Sequence, residues 1–137
     1  MPTATAHYLG QLRTEATHVA SGTVIRTDAP VDNHGKGEAF SPTDLVCVSL
    51  ASCIITTMGI VADRHGIDLA GSTYAATKHM STEAPRRIAR IEVVLQMPAA
   101  LAAADRALME RTARTCPVAL SLHPDVDKQL VFSYELQ

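Results

Sequence analysis

Tryptophan is absent, and only three Tyr and two Phe stand among 137 residues. So small an aromatic content excludes the stacking platforms on which single-stranded nucleic acids are bound, and it leaves Ala, Val, Leu, Ile and Met to build the core. There is no excess of cationic charge: 12 Lys+Arg against 14 Asp+Glu give a net charge of −2. Neither nucleic acid nor an anionic membrane surface is an expected partner. Residues 1–10 lack the basic and apolar regions of a secretory signal, so the expected compartment is the cytoplasm. Cysteine is scarce, three residues with no CxxC pair, which argues against a disulfide framework. Six histidines (His7, His18, His34, His65, His79, His123) show neither HExxH nor paired-Cys spacing, and no metal site is expected. A GxSxG elbow is missing, and the Gly35-Lys36-Gly37 stretch lacks the spacing of a phosphate loop.

What is present is a chain of 47% hydrophobic and 19% charged residues, long enough for one domain over residues 1–137 and apolar enough to fold. Residues 8–18 and 22–27 read as a hairpin of two antiparallel strands, the second marked by the β-branched run after Ser21-Gly22. Residues 28–40, dense in Pro, Gly, Asn and Asp, read as a loop placed to cover a site. Ser41 followed by Pro42, with Asp44 in the first turn, is a helix start. Residues 45–62 then carry no charge. That run reaches the lower limit for crossing a bilayer, but Ser49, Ser52, Thr56, Thr57 and Gly59 interrupt it and no aromatic belt flanks it. It reads instead as a central helix buried on all sides, partly by a second subunit, and ended by Gly66. Residues 73–80 and 88–97 form a second hairpin, residues 99–114 a helix, Cys116-Pro117 the start of a short helix to about 122, and residues 129–136 a closing strand. The order defines an α+β domain.

Cys47 and Cys53 share the long helix six residues apart, about 9 Å along its axis and about 240° around it. They cannot bond each other. An intramolecular disulfide must therefore join Cys116 to one of them, and helix phase makes the two mutually exclusive. Cys116, just before Pro117, is placed as an N-cap, where backbone N–H groups lower a thiol's pKa. A thiol in the middle of an apolar helix is expected to be shifted upward unless a cation stands beside it.

The stretch Ser41-Pro42-Thr43-Asp44-Leu45, then Leu50-Ala51-Ser52-Cys53, with Cys116-Pro117-Val118 before the terminal strand, resembles the OsmC/Ohr family of thiol-dependent hydroperoxide reductases over nearly the whole chain. The resemblance implies an OsmC-like fold of antiparallel sheets around a long buried helix, in an intertwined homodimer. It implies reduction of small organic hydroperoxides to alcohols in oxidative stress defence, with Cys53 as the attacking thiol and Cys116 as the resolving one. An external dithiol is then the reductant, with no cofactor. Two departures mark a divergent branch: Thr43 stands where the family has Glu, and no arginine stands at residues 18–22 where the family Arg is expected. The candidates to activate the thiolate in their place are His18, Arg13, Arg26 and Asp44. The alternative reading is a non-catalytic OsmC-like domain that binds a small apolar ligand or senses oxidants.

Overall fold

A computed structural model describes residues 1–137. Its backbone contacts divide the chain into two compact units, residues 1–46 and 47–137.

The first unit is a three-stranded antiparallel sheet in the order β1 (Ala4–Gly10), β2 (Arg13–His18), β3 (Val24–Asp28). Residues 8–18 are therefore not one strand. The polar/apolar alternation runs on through a reversal at Gly10, Gln11 and Leu12, all of which take positive φ (81°, 55° and 64°). Only the first of these is a residue that favours that region, so the turn is masked by its own sequence. Residues 29–40 are loop with a short 3-10 turn at Val31–Asn33. The loop is tied at both ends: Asp28 N–H donates to the Phe40 carbonyl (3.1 Å), and Gly35 N–H to the Pro30 carbonyl (2.9 Å). A Cβ on Gly35 would overlap the carbonyl oxygen of Ala29.

Helix α1 (Pro42–Arg64) begins with a reciprocal cap: Asp44 N–H donates to Ser41 Oγ (3.0 Å) and Ser41 N–H to Asp44 Oδ2 (2.9 Å), with Pro42 in the first helical position. It ends at Gly66 (φ 65°), where Ile67 N–H donates to the Ala62 carbonyl at 2.9 Å. α1 is long and apolar enough to cross a membrane, a test that the core helix of a folded domain also passes. Cys47, Leu50, Ala51, Ile54, Met58 and Ala62 form one buried stripe along it, the i, i+3, i+4 spacing of a face turned to a core.

The second unit's sheet runs in the order β4 (Thr73–Met80), β5 (Ile88–Pro98), β6 (Asp127–Leu136). β4 and β5 form the expected antiparallel pair, but β6 lies parallel to β5. The sheet is thus mixed rather than antiparallel throughout, because the connection carries two helices, α2 (Ala103–Ala113) and α3 (Pro117–Ser121), and so returns the chain as a crossover. In β5 every second residue, Ile91, Val93, Leu95 and Met97, is fully buried. These join Leu50, Ile54, Met58 and Met109 as the unit's core. Helix α2 starts four residues later than its composition suggests. Arg106 claims the carbonyls of Ala99 (Nη2, 2.8 Å) and Leu101 (Nε, 2.9 Å) and stacks on Tyr134 at 4.4 Å, which holds residues 99–102 as a turn.

Gly35→Ala is expected to cost about 1–3 kcal/mol, as for other overpacked sites, because the loop backbone must move away from Ala29. Urea unfolding midpoints of the two proteins measure this, and equal midpoints would show that the loop is not held as described.

Candidate functional site

All three cysteines are free thiols. Cys47 falls on the buried stripe of α1, whereas Cys53 lies off it and is half-exposed. The rotation between them fixes this division, since one helix cannot turn both to the core. Cys116 is the N-cap of α3: its Sγ accepts from Ala119 N–H at 3.3 Å, and the residue is completely buried. The Cys53 thiol stands close enough to Cys116 to influence its ionisation. The two thiols that the family resemblance pairs are therefore neighbours, although more than sixty residues separate them in the chain.

The N-cap position predicts a lowered pKa for Cys116, and the structure corrects this. Burial pushes the thiol above its ordinary value, outweighing the backbone donors Ala119 and Val118, and the adjacent Cys53 adds to the rise. A five-residue helix has little dipole to oppose desolvation. Cys116 is accordingly a sealed, protonated thiol beside a more open one. Cys53 has its own hydroxyl neighbour, Thr57 Oγ1 at 3.9 Å on the next turn of α1. A cavity of about 150 Å³ is lined by Leu50, Ile54, Ala113, Ala119 and Leu130, with Arg114 and Lys128 at its wall. Leu50 and Ile54 bracket Cys53 in the chain, and Ala113 and Ala119 bracket Cys116.

The four candidate activators all belong to the first unit, and each has a local partner. Asp44 is the carboxylate of the α1 cap. His18 Nδ1 lies 2.6 Å from Ser21 Oγ at the exposed β2–β3 turn. Arg26, largely exposed, pairs with Glu15 across β2 and β3 at 2.9 Å. Arg13 is more enclosed: its guanidinium pairs with Glu38 (3.1 Å) and with Asp28 (3.4 Å), while Nε is buried without a partner. The Glu38 hydrogen bond is the main reason the guanidinium is held more firmly protonated. Asp28, almost fully buried, accepts from Glu38 N–H (3.0 Å), and this bond, aided by the Arg13 charge, holds its carboxyl below the ordinary value of 3.8. These residues line a cavity of about 290 Å³ with Leu9, Thr14 and Thr27.

Sequence reasoning missed Asp28 and Glu38, and also Thr57. An aspartate closing a β-branched strand was the available signal for the first. Nothing in the spacing distinguishes Glu38 from any other loop carboxylate.

A carboxyl with a lowered pKa stabilises the folded state above its unfolded pKa and loses that contribution as pH falls through the folded one. Asp28→Asn is therefore expected to be less stable than wild type at pH 7, with the difference shrinking as the pH falls below about 4. Urea midpoints between pH 7 and pH 2.5 test it, and a gap independent of pH would remove the ionised Asp28 from the account.

Residues 35–130 match the model of the OsmC-like protein family. A crystal structure from Psychrobacter arcticus 273-4, of a protein named for osmotic stress induction and a detoxification response, is similar to this chain with 46% identity and a TM-score of 0.92, covering 97% of this chain and 96% of that one. An organic hydroperoxide resistance protein OsmC of Legionella pneumophila shares the fold at 18% identity, with a TM-score of 0.76 over 95% of this chain and 94% of that one. So does an organic hydroperoxide resistance protein of Vibrio cholerae, solved with captopril in one of its active sites, at 18% identity and a TM-score of 0.75 over 96% and 90%. None of the curated proteins is a significant match. The extent of the family match and the 46% identity over nearly the full length place this chain in the OsmC-like family.

Proposed function

We propose that the protein is a cysteine-based peroxidase that reduces organic hydroperoxides to alcohols in the cytoplasm, as part of oxidative stress defence. The observation that carries this reading is the pairing of a half-exposed Cys53 with a sealed Cys116. Peroxide reaches the open sulfur first. The Cys53 thiolate attacks one peroxide oxygen, forming an S–O bond as the O–O bond breaks. Sulfur is oxidised to a sulfenic acid, the peroxide is reduced, and the departing alkoxide takes a proton from water. The Cys116 thiol then displaces the sulfenic hydroxyl as water, giving the Cys53–Cys116 disulfide. An external dithiol reduces that bond by exchange and restores both thiols.

The preference for an organic peroxide over hydrogen peroxide draws support from the apolar side chains Leu50, Ile54, Ala113, Ala119 and Leu130 that line the second unit's cavity, the first four of them close in sequence to the two cysteines. Among the candidate cations of the first unit, Arg13 is set apart from His18 and Arg26 by its surroundings. Arg13 is fixed by two carboxylates and keeps an unused Nε–H, whereas the other two are exposed. The proposal also includes a homodimer. Ile60 is half-exposed on the uncharged stretch of α1, and Tyr8, Leu9, Val24 and Ile25 are exposed on the first sheet. Apolar surface on both units is what a subunit interface removes from water.

The alternative, a non-catalytic domain that binds a small apolar ligand or senses oxidants, draws support from Thr43, which stands where the family has Glu. One assay separates the two. With dithiothreitol or reduced lipoamide as the dithiol, wild type is expected to consume cumene hydroperoxide faster than hydrogen peroxide, and Cys53→Ser is expected to fall to the background rate. Cys116→Ser is expected to form one sulfenic acid per site, trapped by dimedone and counted by mass spectrometry. Equal turnover in the Cys53 variant would refute the mechanism, and oxidation of Cys53 without turnover would select the sensor. Sedimentation is expected to give a dimer mass for wild type and a lower mass for Ile60→Asp; a monomeric wild type would remove the dimer from the proposal.

A further inference from the structure

We propose that Thr57 is a further catalytic residue of this site, its hydroxyl donating a hydrogen bond to the Cys53 sulfur and favouring the thiolate over the thiol. The proposal rests on the peroxidase reading for its purpose, though not for its geometry. Thr57 lies four residues after Cys53 on α1, and helical side chains lean toward the N-terminus, so its hydroxyl reaches back over the preceding turn. The ordinary partner for a helical hydroxyl is a backbone carbonyl of that turn. Thr112 takes this option, donating to the Leu108 carbonyl at 2.8 Å, as Ser121 does with Pro117 at 2.7 Å. Thr57 does not. Its hydroxyl partner is the Cys53 sulfur at 3.9 Å, a long contact at the outer limit for sulfur.

Between a neutral thiol and a hydroxyl, either atom is able to donate. Once Cys53 loses its proton only Thr57 has one to give, and the bond becomes charge-assisted and shortens. Such a bond strengthens in one direction of the titration only. It therefore raises the thiolate fraction, which sets the rate of attack on the peroxide. Thr57 neither gains nor loses a proton in the reaction. Unlike the candidates in residues 1–46, it stands on the same helix as the sulfur it serves, so its position follows from helix geometry alone.

The test compares Thr57→Val, which keeps the shape and removes the hydroxyl, with Thr57→Ser, which keeps the hydroxyl. Alkylation of Cys53 by iodoacetamide, followed by peptide mass spectrometry from pH 6 to 10, is expected to show the Thr57→Val profile displaced upward by about one pH unit, a tenfold loss of thiolate at neutral pH. Thr57→Ser is expected to follow wild type. Peroxide turnover by Thr57→Val at pH 7 is expected to fall about fivefold to tenfold and to recover as the pH is raised. A purely structural role would lower turnover without moving the alkylation profile. Superimposed alkylation profiles for Thr57→Val and wild type, in proteins with matching circular dichroism, would overturn the assignment. If wild type shows no turnover but the profile still moves, the peroxidase reading fails and the Thr57 assignment stands.

Discussion

Helix α1 must bury a continuous stripe of Cys47, Leu50, Ala51, Ile54, Met58 and Ala62, and the phase of that stripe decides the chemistry available to the chain. Those side chains are apolar or nearly so, and turning them to solvent would lose about 25 cal/mol for each Å² of apolar surface exposed. The helix is therefore fixed about its axis. With the stripe inward, Cys47 becomes core and Cys53 comes to the edge, partly exposed. Rotation by a single residue would interchange neither cysteine cleanly, because the two lie about 240° apart. The reciprocal Ser41–Asp44 cap and the Gly66 terminus fix the ends of the same helix, so its register is set along its axis as well as around it.

The crossover from β5 to β6 supplies the second half of the pair. A parallel return needs a connection long enough to cross the sheet, and here that connection includes α2, α3 and the Cys116 cap between them. The Arg106 clamp on Ala99 and Leu101 fixes where the crossover leaves β5, and its stacking on Tyr134 links it to β6. Cys116 is thereby held at a junction that is fully buried. Desolvation at that junction outweighs two backbone donors, so the thiol keeps its proton. The resolving role proposed for Cys116 suits such a place, because the thiol is closed to solvent.

Much of this was legible in the sequence, and the remainder fails for identifiable reasons. Ser41-Pro42 and Gly66 mark the ends of α1 because capping is local chemistry, decided by neighbours within four residues. The β4–β5 hairpin is likewise local. The β1–β2 reversal is not readable, since Gln11 and Leu12 adopt a left-handed backbone that neither residue signals. The pairing of Cys53 with Cys116 entered through family resemblance, while helix phase alone left Cys47 equally possible. The N-cap rule misjudged Cys116 because it counts donors and omits burial, a property of the folded unit. Arg106 was passed over for the same reason: its partners are carbonyls that no side-chain pattern announces.

The placement of polar groups around Cys53 shows how an apolar helix offers a thiol a polar neighbour without adding charge. A charge on the run of residues 45–62 would have to be buried or would interrupt the apolar surface, at a cost of several kcal/mol if left unpaired. A hydroxyl is smaller and neutral, and in a helix it is able to satisfy itself on the backbone when the thiol does not need it. Threonine four residues from a cysteine therefore adds a donor without adding charge. The carboxylates and arginines of the first unit are arranged differently, as ion pairs in which Arg13 is shared between Asp28 and Glu38. Charge is kept where paired charge is tolerated, and the helix that holds the sulfur relies on dipoles. On that division, the proposed Cys53 thiolate has its hydrogen-bond donor on α1 itself, in Thr57.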